Sequence, residues 1–229
     1  MKIVISGYGK MGREIESAAI ARGHEIAAFP DNTESLITAA NADAVCVDFS
    51  VPDAFMRNYK IIADNFKAVV VGTTGWYEIL DDVKNYFEKK NKTLIYATNF
   101  SIGVNIFFKL NELAAKLISG LADYDSYILE LHHNQKLDAP SGTAKTIGSI
   151  LNEVFGKEID IQSIRSGKIP GIHETGFESG VDRITLRHEA FSRKGFAEGA
   201  ITAVEWTENN KGVFEFKELL ENKFKHILK

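Results

Sequence analysis

The sequence predicts an α/β protein in two parts: an N-terminal βαβ domain on a parallel sheet and a C-terminal α+β domain with an open, mixed sheet. Three observations carry this expectation. A β-branched run, Lys2 to Ser6, leads directly into Gly7-Tyr8-Gly9-Lys10-Met11-Gly12 and then into a helical pattern. Short apolar runs alternate with amphipathic stretches as far as Asn99, the rhythm of parallel strands joined by helices. Beyond Asn99 that rhythm gives way to long helices and a hairpin.

In chain order, Lys2 to Ser6 is the first strand, and Arg13 to Arg22 is a helix closed by Gly23. His24 to Phe29 is a second strand, broken by Pro30-Asp31-Asn32. Ala44 to Phe49, Ala68 to Gly72 and Thr93 to Tyr96 are further strands, with helices at Asp53 to Ala63 and Trp76 to Lys90 between them. The second part has a long amphipathic helix, Val104 to Ser119, an alternating strand, Asp125 to His132, a polar loop, and a helix from Ser141 to Phe155. Gly171 to Glu178 and Arg183 to Ala190, joined at Ser179-Gly180-Val181-Asp182, form a hairpin. Phe196 to Trp206 and Phe214 to Ile227 are helices expected to return over the first sheet. Residues 1–103 and 196–229 are thereby assigned to the first domain and 104–195 to the second.

Composition narrows the function classes. The 229 residues are 45% hydrophobic and 25% charged with a net charge of -4, an ordinary globular balance, and no basic run suggests a nucleic-acid partner. No stretch approaches the roughly 18 apolar residues of a membrane span, and the N-terminus lacks the apolar core of an export signal, so no membrane partner is expected. The single cysteine, Cys46, lies in the apolar run Ala44-Val45-Cys46-Val47 and reads as a core residue, which suits a reducing cytoplasm.

In the glycine turn, Gly7 permits a tight bend, Gly9 lets a phosphate approach the backbone, and Gly12 lets helix pack on strand. The bare pattern serves packing as readily as binding. Its position between strand and helix, with Asp31 closing the second strand, favours a dinucleotide whose pyrophosphate caps the helix. Tyr8, Lys10 and Met11 complete that cofactor turn. A carboxylate at Asp31 suits ribose hydroxyls rather than a 2′-phosphate, so NADH is favoured; NADPH stays open because Lys10 or Arg13 could reach a phosphate. Gly72-Thr73-Thr74 and Ala97-Thr98-Asn99-Phe100 end predicted strands, where such sheets bind ligands, and are further cofactor candidates.

The segment ELHHNQKLDAPSGTAK, Glu130 to Lys145, gathers proton donors beside an anion site. His132 and His133 end a strand and point to opposite sides. Lys136 can fold back toward them, and neighbouring cations lower each other's pKa, which favours proton delivery near neutral pH. Ser141, Gly142 and Thr143 open a helix and offer amides and hydroxyls to a carboxylate. No metal is called for. A dianionic substrate fits.

GYGKMG, VDFS, VGTTG, NFSIGVN, ELHHNQKLDAPSGTA and RSGKIPGIH, in this order, resemble the dihydrodipicolinate reductase family over nearly the whole chain. The resemblance implies a Rossmann domain completed by the C-terminal helices, and a second domain whose open sheet assembles a homotetramer. It implies NADH- or NADPH-dependent reduction of a small cyclic dicarboxylate, with His132 as proton donor or acceptor, Lys136 as the second proton donor, and His133, Gly142 and Thr143 on the substrate. Arg165, His173 and Arg193 stay open between substrate anions and subunit contacts. Two other classes compete: another oxidoreductase of small acids, against which the DAPSGT block argues, and a cofactor sensor, which has no need of His132 and Lys136.

Overall fold

The computed structural model describes residues 1–120 and 123–227. The chain divides into two units, Met1–Ser101 with Arg193–Lys229, and Ile102–Ser192.

In the first unit, β1 (Lys2–Ser6), β2 (Glu25–Ala28), β3 (Asn41–Asp48), β4 (Phe66–Val71), β5 (Thr93–Tyr96) and β10 (Val213–Glu215) form one parallel sheet in the order β10-β5-β4-β3-β1-β2. Ile3, Val4 and Ile5 are all fully buried, the mark of a strand covered on both faces. Helices α3 (Pro52–Asn65) and α4 (Leu80–Lys89) cover one face, where Phe55, Ile62, Val83 and Phe87 pack on Val4, Cys46, Val69, Val71 and Leu94. On the other face α1 (Lys10–Ala21) packs against α7 (Lys194–Trp206), and Arg22, just past α1, hydrogen-bonds Thr202 at 3.0 Å. The return of α7 over this sheet is as the pattern suggests. Strand order reverses between β1 and β3, so their C-terminal ends, Ser6 and Asp48, flank the crevice where such sheets bind ligands.

Three local expectations are corrected. Helix α1 begins at Lys10 rather than Arg13, because Gly9 acts as its N-cap and the glycine turn itself enters the helix. A short helix, α2 (Thr33–Thr38), follows Asn32, started by a reciprocal capping box between Asn32 and Ser35 and too brief to show a periodic pattern. Phe214 and Glu215, read as the start of a helix, instead belong to the edge strand β10 (Val213–Glu215), paired in parallel with Leu94–Tyr96; α8 (Phe216–Ile227) follows it. Three residues carry no period, and pairing with β5 decides their state. Residues 228–229 of the first-domain assignment lie outside the described residues.

In the second unit, β6 (Asp125–His132), β7 (Asp160–Arg165), β8 (Ile172–Glu178) and β9 (Arg183–Glu189) make a mixed sheet in the order β7-β6-β8-β9. The β8–β9 hairpin is as expected; β7 is new, an edge strand running parallel to β6 with a half-exposed pattern too polar to signal a strand. Helices α5 (Ile102–Ser119) and α6 (Gly142–Phe155) bury one face around Ile128, Ile147, Leu151 and Phe177. The opposite face presents Leu129 and Leu131 of β6 and the exposed Ile164 of β7. Among the described residues, no helix is long and apolar enough to cross a membrane.

Candidate active site

The first unit gathers the predicted cofactor residues at the C-terminal ends of its strands. Gly7 turns the chain out of β1 at φ 89°, and a Cβ there would lie 2.5 Å from the Phe49 carbonyl oxygen. Gly9 and Lys10 are exposed, Met11 is half-buried and Gly12 is buried. Tyr8 packs against Phe29 with ring centroids 4.3 Å apart and the rings tilted by 51°, and its hydroxyl meets Glu16. Asp31 is exposed, its Oδ1 accepting from Asn32 Nδ2 at 2.9 Å and Ser35 Oγ at 3.1 Å. Thr74 and Thr98 are exposed, whereas Thr73, Ala97 and Phe100 are buried. Asn99 is half-buried, its Oδ1 accepting from Ser101 N at 2.8 Å.

Two of these segments, the end of β1 and the Gly72–Thr73 loop, are joined by Asp48, at the end of β3. Its buried carboxylate accepts from Ser6 Oγ at 2.7 Å, Thr73 Oγ1 at 2.6 Å and Ser50 Oγ at 2.9 Å, while its carbonyl accepts from Gly72 N at 2.9 Å. Burial raises its pKa, and the hydroxyl donors pull it back only in part. One side chain thus ties the glycine turn of β1 to the Gly72–Thr73 loop of β4 across the point where strand order reverses.

The second unit assembles the histidine segment at the C-terminal end of β6, on the face that carries α6. Alternation along β6 puts Glu130 and His132 on that face together. Strand register adds the rest, since Glu130 pairs with Ser163 of β7 and His173 of β8, and His132 pairs with Arg165. Glu130 is fully buried; its Oε1 accepts from Arg165 Nη2 at 2.7 Å, Ser163 Oγ at 2.7 Å and Ser141 N at 3.1 Å. Its Oε2 lies 2.6 Å from His132 Nδ1, off the axis of a directed hydrogen bond, so charge rather than alignment holds that pair. Ser141 caps α6 by accepting from Ala144 N at 3.2 Å, and its hydroxyl lies 3.1 Å from His173 Nε2.

Lys136 and His133 sit on the loop after β6. That loop is fastened to the 166–169 turn by His133 N to Ile169 O at 2.8 Å and Ser166 N to His132 O at 2.9 Å. Lys136 Nζ is 2.8 Å from Asp138 Oδ1. Ser141 is almost wholly buried with its amide and hydroxyl both bonded within the protein, so Gly142 and Thr143 are the groups that the start of α6 leaves open.

Two profiles of one family match the chain: Dihydrodipicolinate reductase, N-terminus, over residues 1–100, and Dihydrodipicolinate reductase, C-terminus, over residues 103–220. The chain belongs to the dihydrodipicolinate reductase family. A 4-hydroxy-tetrahydrodipicolinate reductase of Christiangramia forsetii is 39% identical over 239 residues, spanning 99% of this chain and 100% of the relative. Another, of Methanocorpusculum labreanum, is 41% identical over 197 residues, 77% of this chain and 75% of the relative. A solved structure, the dipicolinate-bound dihydrodipicolinate reductase from Paenisporosarcina sp. TG-14, is similar with a TM-score of 0.78 at 26% identity, over 94% of this chain and 97% of that one. Membership makes the protein an oxidoreductase with a nicotinamide cofactor. The glycine turn fits such a group: α1 opens with no side-chain cap, and the space a Cβ on Gly9 would take has no atom within 4 Å.

The electrostatics of the second unit suit the proton chemistry of a reductase of this family. Burial alone would raise the pKa of Glu130, but the Arg165 guanidinium, Ser163 and Ser141 more than offset it and hold the carboxylate at about 2. Burial lowers the pKa of His132; Glu130 opposes that shift, while Lys136 and Arg165 add to it. His173 is pressed down to about 4, first by burial and then by His132, so it is neutral at physiological pH. Donor atoms of Glu130, His132 and His173 all lie within 4.8 Å of one another. The Arg165 guanidinium, 2.7 Å from Glu130 Oε1, partly balances the carboxylate charge of this cluster.

Sequence reasoning passed over Asp48, Glu130 and Ser163 and left Arg165 and His173 open. Glu130 had a readable signal, since it stands two residues before His132 on an alternating strand and must share its face. Ser163 and Arg165 had none, because β7 itself was not legible. Arg193 is exposed at the start of α7, in the first unit.

Proposed function

We propose that this chain reduces 4-hydroxy-tetrahydrodipicolinate to tetrahydrodipicolinate with loss of water, in the diaminopimelate route to lysine. The observation that carries the reading is the His132–Glu130–Arg165 cluster set beside the open start of α6 in a chain of this family. The dipicolinate bound to the Paenisporosarcina relative is a planar ring dicarboxylate, the shape of substrate this requires.

The first unit is the dinucleotide-binding domain and the second the substrate-binding and assembly domain. Gly7 to Gly12, Asp31, Gly72 to Thr74 and Ala97 to Phe100 hold the cofactor, with Asp48 fixing the end of β1 against the Gly72–Thr73 loop. When bound, the nicotinamide supplies hydride to C4 of the substrate ring. Gly142 and Thr143 hold a ring carboxylate at the N-terminus of α6, and His133 lies against the substrate. Loss of hydroxide and reduction both shift charge through a nitrogen-containing conjugated system. His132 delivers a proton from Nε2 and Lys136 from Nζ, which lowers the barrier to each shift. The test is turnover itself, with the product identified by mass spectrometry.

NADH is the favoured cofactor. Asn32, which follows Asp31, is committed to capping α2 through Ser35 N at 2.9 Å, and the Arg13 guanidinium sits 5.6 Å over the Tyr8 ring. A 2′-phosphate would therefore meet a carboxylate without a compensating cation at that strand end. NADH should be used at least as well as NADPH, and Asp31→Ala should narrow the difference. A preference for NADPH above about tenfold, roughly 1.4 kcal/mol, in steady-state assays would contradict this.

The sheet face bearing Leu129, Leu131 and Ile164, opposite α5 and α6, is the surface proposed to assemble a homotetramer. Light scattering at micromolar concentration should report four chains; a monomer would rule the assembly out.

A further inference from the structure

Glu130 is the most deeply buried carboxylate of the second unit, and the proton-transfer scheme above gives it no part. A fully buried carboxylate is costly unless paired and hydrogen-bonded, and this one has been provided for on one side only. Three donors from two elements converge on Oε1: Arg165 and Ser163 from β7 and the Ser141 amide at the cap of α6. They fix the position of the group and leave Oε2 beside His132 Nδ1, 2.6 Å away. The histidine is located from its other side too. A Cβ on Gly171 would stand 3.0 Å from His132 Nε2, so the absence of a side chain there is what admits the ring. The His173 ring meets it edge-on, with centroids 5.1 Å apart.

We propose that Glu130 is the positioning residue of the reaction: its carboxylate fixes the Nδ1 side of His132 and so assigns the exchangeable proton to Nε2. The proposal rests on the reading of His132 as a proton donor. A negative charge beside Nδ1 favours the tautomer with hydrogen on Nδ1 in the neutral ring and stabilises the imidazolium in the charged one. With Nδ1 sealed from solvent against Glu130, Nε2 is the nitrogen left to exchange a proton. The charged and titratable groups facing His132 are Glu130 on its own strand, Arg165 on β7, His173 on β8 and Lys136 on the following loop. Of the charged groups among these, Glu130 is the one that is negative. Removing its charge therefore destabilises the imidazolium and moves the His132 titration to lower pH.

The test is Glu130→Gln, which keeps shape and an acceptor for Arg165 and Ser163 but deletes the charge. We expect kcat to fall by about 10- to 100-fold with NADH affinity unchanged. The alkaline limb of the kcat profile should move to lower pH. In a His132→Gln background the same change should have little further effect, because the two residues act through one another. Equal losses of kcat in both backgrounds would overturn the proposal. Nitrogen NMR of labelled histidine gives a readout free of turnover: His132 should carry its neutral-state proton on Nδ1 in the natural protein and shift toward Nε2 in Glu130→Gln. An unchanged tautomer in a folded variant would also overturn it. Should Glu130→Gln fail to fold, Ser163→Ala, which removes one of the donors that fix the carboxylate, should shift the tautomer in the same direction, and no shift would count against the proposal. If instead the natural protein does not oxidise NADH with substrate, the functional reading fails, and the NMR result still decides the place of Glu130.

Discussion

Replacing His132 by glutamine should lower kcat by about 10²-fold or more, the scale of lost acid catalysis, while the Kd for NADH stays within about twofold. The imidazole is nearly buried, at 7% exposed, between Glu130 and Gly171. Glutamine can fill that space and hydrogen-bond, but it cannot give up a proton. Lys136→Ala should lower kcat on the same scale, since it removes an ammonium proton source that Asp138 holds at 2.8 Å. NADH affinity survives in both because Gly7 to Gly12 and the loops fastened by Asp48 belong to the other unit. Steady-state kinetics and an NADH fluorescence titration on each variant separate the two roles. Normal turnover with lost NADH binding would move the His132 segment to the cofactor side.

The second large effect lies in the first unit. Gly7→Ala should abolish measurable NADH binding and destabilise that unit by about 3 kcal/mol or more, through left-handed strain and overpacking together. A Cβ at this position would sit 2.5–2.6 Å from the backbone of Phe49 and Ser50, neighbours that are main chain and have little room to give. The chain must either push the Ser50 loop away from Asp48 or reshape the turn that opens α1, and both disturb the amides at the helix start. Thermal unfolding and NADH titration check this, and an alanine variant with unchanged melting and affinity would refute the account of the turn.

The sequence made the first unit legible where period and turn chemistry agree. Lys2–Ser6, the glycine turn and Glu25–Ala28 stand out because a doubly covered strand must be apolar throughout and a tight turn must have glycine. Asp125–His132 was readable through its alternation and Ser141 through its cap. Elements set by partners rather than local pattern were not. Val213–Glu215 is a strand because β5 offers it an edge, and Asp160–Arg165 because β6 does. The same holds for the sites. His132 and Lys136 are visible as residue types, but the carboxylate that orients the histidine is set by strand register and by β7, neither of which one chain's pattern reveals. Ser141 shows the converse: its type suggests a ligand for substrate, yet the fold directs its amide to Glu130 and its hydroxyl to Ala144 and His173.

The most direct test of the central claim is the near-ultraviolet absorbance of NADH on mixing the purified protein with 4-hydroxy-tetrahydrodipicolinate freshly made by the preceding synthase. NADH should be consumed in stoichiometric yield with the tetrahydrodipicolinate formed, and the rate should collapse in His132→Gln. Tight NADH binding with no oxidation in the presence of substrate would contradict the reductase and leave a protein that only senses its cofactor.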